Sequence, residues 1–133
     1  MTSFMVEIIT PEGKLFSGEC LQVDVPGSEG RMGILAAHMN FVSSLIPGLV
    51  EISLNDNATK KLVVADGIIE VNSGKCIILV EQASNLENLK ADDLQSKIST
   101  IRHNLHKAET KALKHSLNIE LIYLEELLKQ IIH

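Results

Sequence analysis

Aromatic residues are nearly absent from this chain. Its 133 residues hold no Trp, one Tyr and three Phe. The hydrophobic fraction, 45%, is still enough for a core, so that core must be aliphatic. Two cysteines, Cys20 and Cys76, exclude a disulfide framework. Each lies among apolar, strand-like residues and reads as a reduced, buried thiol, which fits a reducing compartment. No apolar run approaches the ~18 residues needed to cross a bilayer. The opening Met-Thr-Ser-Phe-Met-Val-Glu lacks the basic start and apolar stretch of a secretion signal, so a soluble protein is expected. A basic excess is missing as well. Lys and Arg number 12 against 17 Asp and Glu, for a net charge of −5. The whole deficit falls in residues 1–86, with five basic and ten acidic residues; residues 87–133 carry seven of each. An acidic body joined to a neutral tail argues against a nucleic-acid binder, which would show a basic face.

Gly and Pro are missing from the last third. All eight glycines and three prolines precede residue 87, Gly74 being the last. Both residues are costly inside a helix and both punctuate turns. Residues 87–133 therefore read as helix. Apolar residues at Leu94, Ile98, Ile101, Leu105, Ala108 and Ala112 form a helical stripe. Leu113, Leu117, Leu121, Leu124, Leu128 and Ile131 form a second. The phase slips between Ala112 and Leu113, so the expectation is two helices with a bend somewhere in 107–118.

The first 85 residues are strand-like. Phe4, Val6 and Ile8 lie on one face of a first strand, and Pro11-Glu12-Gly13 turns it. Leu21, Val23 and Val25 alternate with Gln22 and Asp24, and Val50, Ile52 and Leu54 with Glu51 and Ser53. Asp66-Gly67, flanked by apolar runs, predicts a short hairpin. Asn72-Ser73-Gly74 marks another turn. Turn signals recur about every ten residues, which argues for an antiparallel sandwich or barrel. The period changes from two to 3.6 near 83–89, which sets the expected domains at 1–85 and 86–133.

Catalytic chemistry finds little support. The loop Gly27-Ser28-Glu29-Gly30-Arg31-Met32-Gly33 lacks the Lys-Ser/Thr that completes a phosphate-binding loop. It reads as a tight turn or a docking surface. His103 and His106 share a helix face but lack the further ligands of a usual metal site, and read as solvated. His38 reads as structural or interfacial. Asp92 and Asp93 suit a helix start better than an acid–base pair. In the tail, Arg102, Lys107, Lys111 and Lys114 are opposed only by Glu109. That pattern is either an ordinary solvated face or a basic segment offered to an acidic partner.

The run from Gly27 through Ile34-Leu35-Ala36-Ala37 to His38 resembles the epsilon subunit family of bacterial F-type ATP synthases. Phe16-Ser17-Gly18, Phe41, Leu45-Ile46-Pro47-Gly48-Leu49-Val50-Glu51-Ile52 and Ala65-Asp66-Gly67-Ile68-Ile69-Glu70-Val71 extend the likeness across the β part. The resemblance implies an α+β protein in two parts: an antiparallel β-sandwich of ten short strands followed by a C-terminal α-helical hairpin. It implies a non-catalytic rotor subunit of the central stalk, bound to the gamma subunit and the c-ring. Such a protein would sit at the cytoplasmic face of the bacterial inner membrane through the complex. Ser28, Glu29, Gly30, Arg31, Met32, Gly33, His38 and Phe41 would meet gamma or the c-ring. The hairpin would act as a mobile arm that restrains ATP hydrolysis. At ~1.5 Å per residue, its roughly forty residues extend ~60 Å. Arg102, Lys107, Lys111 and Lys114 would then meet an acidic segment of the alpha and beta subunits. The chain departs from the family pattern at Ala36-Ala37, at Arg31 and at Asp66. Gln95 and Ser96 stand where ATP-binding relatives carry Arg, so regulatory ATP binding is not expected; no cofactor or metal is expected either. The alternative is a free-standing adaptor that self-associates through the heptad-like gaps of 94–112.

Overall fold

The computed structural model describes residues 2–36, 40–55 and 57–132. These form β1 (Phe4–Thr10), β2 (Gly13–Cys20), β3 (Gln22–Gly27), β4 (Gly30–Ile34), β5 (Phe41–Leu45), β6 (Gly48–Asn55), β7 (Ala58–Val64), β8 (Gly67–Asn72), β9 (Lys75–Val80), β10 (Ala83–Asn85), α1 (Ala91–Lys107) and α2 (Lys111–Ile131). The chain divides into two units between Ser84 and Asn85.

The strands form one sheet in the order β10-β7-β6-β3-β5-β8-β9-β1-β2, with β4 paired to β3. β3 joins β6 through Gln22, Val23 and Asp24 but touches β5 only at Gly27 opposite Leu45. The sheet turns over at that corner. Val23, Val25, Val50, Ile52 and Leu62 on one side of it share a core with Val6, Ile8, Ile69, Val71 and Ile78 on the other. This is the sandwich, built almost wholly from β-branched and leucine side chains. Each is worth about 1.5–3 kcal/mol on full burial. Phe16 and Phe41 are only half-buried and pack at the edge of the core. The Lys60 ammonium lies 5.8 Å from the centre of the Phe16 ring, a cation–π contact at the rim.

Alternation places the strands as the pattern predicts: Phe4, Val6 and Ile8 of β1 all point into the core. The β1–β2, β3–β4, β3–β6, β5–β8, β6–β7 and β8–β9 pairs are antiparallel. β1 and β9 run parallel, Val6 facing Cys76 and Ile8 facing Ile78. Cys20 and Cys76 are buried and unbonded. They lie on the two strands flanking β1, roughly 10 Å apart at sheet spacing, beyond the reach of a disulfide. Burial pushes the Cys20 thiol up to about 11. Burial and the neighbouring Cys20 push Cys76 to about 12.

Two turn expectations have different outcomes. Asn72 and Lys75 close the β8–β9 hairpin, with Ser73 (φ 49°) and Gly74 (φ 79°) between them. Positive φ at both central residues is the primed turn that matches strand twist. The hairpin expected at Asp66-Gly67 does not form. β7 pairs with β6 and β10, β8 with β5 and β9, so this link crosses from one side of the sandwich to the other. Gly67 serves close approach instead. A Cβ there would stand 2.1 Å from the Leu79 carbonyl oxygen. The dipeptide is a turn signal only where φ is positive, and here the glycine is kept for want of space.

In the helical unit, Asp92 and Asp93 occupy the first turn of α1, and His106 and Lys107 the last, each favourable to the helix dipole. The bend is Ala108–Thr110. Thr110 has extended backbone angles, and its hydroxyl accepts a hydrogen bond from the Leu113 amide at 3.2 Å. A threonine cap therefore makes the break that no Gly or Pro announces. Leu94, Ile98 and Ile101 of the first stripe are buried. The second stripe holds over most of its length, with Leu124 buried and Leu117, Leu121, Leu128 and Ile131 half-buried, but Leu113 is 48% exposed and α2 also buries Tyr123 and Leu127 beside the stripe. Apolar residues cover so much of α2 that periodicity alone cannot choose the buried face.

Candidate partner-binding surfaces

The β3–β4 hairpin presents the first candidate surface. Gly27 and Gly30 pair across the two-residue turn Ser28-Glu29, and Gly30 takes φ +127°, which L side chains rarely adopt. Ser28, Glu29, Gly30, Arg31 and Gly33 are exposed. The base beneath them is held on both sides. The Ser28 amide donates to the Ser44 carbonyl at 3.1 Å, and the Ile46 amide donates to the Pro26 carbonyl at 2.9 Å. The Gln22 amide nitrogen donates to both Asp24 carboxylate oxygens, at 3.0 and 3.2 Å. A side chain at Gly33 would bring its Cβ within 3.0 Å of Asp24 Oδ1. An exposed tip on a bonded base is how sheets commonly present recognition residues.

Not every expected residue joins that tip. Met32 and Phe41 are half-buried and pack against the core, so their first role is to hold β4 and β5. His38 lies outside the described residues.

The helical unit presents the second surface. Lys107 ends α1, and Lys111 and Lys114 open α2, so the bend gathers three exposed ammonium groups around Ala108–Thr110. Lys107 suits the carboxyl end of α1. Lys111 and Lys114 stand at the amino end of α2, where the dipole disfavours cations and the first turn itself holds no acidic residue. Helix stability does not account for that charge.

Arg102 is separated from this group. It sits on α1 and donates to Glu125 Oε2 of α2 at 3.0 Å. The pair lines a groove of about 420 Å³ with Gln95, Ile98, Ser99, Leu128, Lys129 and Ile132. Among the described residues, the four expected arm cations therefore divide into three without a salt bridge, Lys107, Lys111 and Lys114, and one, Arg102, engaged within the hairpin.

A third cluster lies on the outer face of β1. The Glu7 side chain, only 8% exposed, pairs with Lys14 and with Lys75, the latter at 2.6 Å. Hydrogen bonds from Lys14 and then Lys75 hold its carboxyl down at about 2. Sequence reasoning missed this cluster. Its one signal was a Glu on the polar side of an otherwise apolar strand. Among the described residues, no three metal-ligating side chains converge, and no helix is long and apolar enough to cross a membrane.

Residues 3–86 match the family model for the beta-sandwich domain of the ATP synthase delta/epsilon chain. The chain is 36% identical over 107 residues to the ATP synthase epsilon chain 2 of Nitrobacter hamburgensis, covering 80% of this chain and 78% of that one. It is 31% identical over 126 residues to the ATP synthase epsilon chain of Brucella canis, covering 95% and 91%. A chain in the solved OSCP/F1/c-ring assembly of the Euglena gracilis mitochondrial ATP synthase superposes with a TM-score of 0.80 at 21% identity, covering 100% of this chain and 83% of that one. That last likeness concerns the fold.

Proposed function

The chain belongs to the ATP synthase delta/epsilon family, whose epsilon chains are non-catalytic, and from that membership we propose that it is a rotor subunit linking gamma to the c-ring in the central stalk. The observation that carries the reading is the pairing of a family-matched β unit with a two-helix unit in one chain. In this reading the β unit is the permanent attachment. Ser28, Glu29, Gly30 and Arg31 at the β3–β4 tip meet the c-ring or gamma, and Met32, Phe41 and His38 support or extend that contact. Association with the membrane is peripheral, through the complex, at the cytoplasmic face in a bacterium.

The helical unit is the regulatory part. Lys107, Lys111 and Lys114, with Arg102, contact an acidic segment of alpha and beta and restrain ATP hydrolysis. The charge of Lys111 and Lys114 at the start of α2 supports this, since it opposes the helix dipole. Regulatory nucleotide has no role in the reading, because Gln95 and Ser96 follow Asp92 and Asp93 where an Arg is required. The adaptor alternative is not favoured: the stripe that would drive self-association, Leu94, Ile98 and Ile101, is already buried within the single chain.

The test is a pull-down with purified gamma, followed by hydrolysis assays on a reconstituted catalytic head. The expected result is stable capture by gamma and a lower hydrolysis rate when the full chain is added. Failure to bind gamma ends the rotor reading. Binding with unchanged hydrolysis ends only the regulatory part.

A further inference from the structure

We propose that Arg102 and Glu125 form an asymmetric latch, which keeps the hairpin closed and delivers Arg102 to an external carboxylate when it opens. The inference rests on the regulatory reading above and says which residue of the arm is withheld until release.

Three observations carry it. The Arg102 guanidinium meets Glu125 Oε2 at 3.0 Å, joining α1 to α2 across the groove. Both side chains are well exposed, at 62% and 44%, so the pair is weak and readily exchanged. A latch buried in the core would be too costly to open.

The third observation is what each residue has nearby once the bridge breaks. Glu125 stands four residues before Lys129, on the same face of α2 and lining the same groove. A Glu four residues N-terminal to a Lys is the favourable orientation on a helix. Glu125 therefore has a replacement partner within its own helix. Arg102 has none. Its helical neighbours three and four residues away are Ser99, Leu105, Ile98 and His106, and the acidic residues of α1 are Asp92 and Asp93, far along the helix. Opening thus costs Glu125 little and leaves Arg102 seeking a carboxylate. The lysines at the bend are exposed with the hairpin closed. Engagement then runs in two steps: the bend lysines make the first contact with an acidic surface, and that surface competes with Glu125 for Arg102.

The test uses the full chain carrying spin labels at Lys97→Cys and Glu120→Cys, both exposed positions outside the groove. Native Cys20 and Cys76 are fully buried, so labelling is directed to the added thiols. Pulsed dipolar distance distributions give the ratio of open to closed hairpin. Glu125→Gln is expected to raise that ratio about 2- to 5-fold, the range of an exposed ion pair. Arg102→Gln should raise it equally, and the exchange Arg102→Glu with Glu125→Arg should bring it back toward the parent value. The same variants without labels are then added to the catalytic head with gamma. Glu125→Gln should inhibit hydrolysis at lower concentration than the parent chain, and Arg102→Gln at higher. An unchanged distance distribution in Glu125→Gln overturns the latch, as does failure of the charge exchange to restore it. Equal potency of the two single variants overturns the delivery of Arg102. If the parent chain itself leaves hydrolysis unchanged, the regulatory reading fails, and the distance ratios still decide the latch.

Discussion

Glu7 shows how one residue on the wrong-looking side of a strand can set the chain's response to acid. It lies between Val6 and Ile8, whose side chains enter the core, and so points to the outer face. Lys14 follows the first turn and Lys75 opens β9, and both reach back to it. Hydrogen bonds from the two ammonium groups lower its carboxyl from an ordinary 4.5 to about 2, against a smaller opposing effect of burial. A carboxyl that holds its proton less tightly when folded stabilises the fold fully above its unfolded value. That contribution is lost as pH falls from 4.5 to about 2. Urea midpoints measured at descending pH should therefore fall through this window in the parent chain. Glu7→Gln should start lower near neutrality and show a shallower fall. Parallel curves for the two proteins would mean that the cluster is not coupled to folding.

At the scale of elements, the bend between α1 and α2 depends on one hydroxyl. Thr110 accepts from the Leu113 amide and satisfies one of the unpaired donors at the start of α2. Thr110→Ala should cost about 0.5–2 kcal/mol, the usual range for losing such a cap. The loss should appear as faster hydrogen exchange in the first turn of α2, with the β-strand amides unaffected. Thr110→Ser should recover most of it. This bend also shows what the sequence made legible. The absence of Gly and Pro after Gly74 marked the helical unit, and the stripe slip placed a break within 107–118. Its position was hidden because a Thr cap leaves no mark on hydrophobic periodicity. The β3–β4 tip was readable from its glycines. Asp66-Gly67 misled because a glycine kept for lack of space at Leu79 looks the same in sequence as one kept for positive φ. The Arg102–Glu125 contact joins residues 23 apart, and spacing within a single helix cannot show such a pair.

At the scale of the molecule, the decisive property is that the β unit has a complete interior of its own. The β unit encloses an aliphatic core from Phe4 to Val80, and every member of that core cluster lies before the division at Ser84. Its sheet is built from strands alone, the last of them, β10, ending one residue past that division, and among the described residues no helix completes a ladder. A domain of this size can enclose enough apolar surface to fold by itself, although small domains have little stability to spare. We therefore expect a chain ending after Leu86 to keep its β-type circular dichroism and a cooperative thermal transition. It should still be captured by gamma if the attachment lies on the β3–β4 side. It should also lose any effect on hydrolysis, because Arg102, Lys107, Lys111 and Lys114 go with the helices. A truncated chain that is unfolded would show that the helices are part of the β unit's stability. One that folds but no longer binds gamma would move the attachment into residues 87–133. A folded, bound fragment that still restrains hydrolysis would take regulation away from the arm and return it to the sandwich.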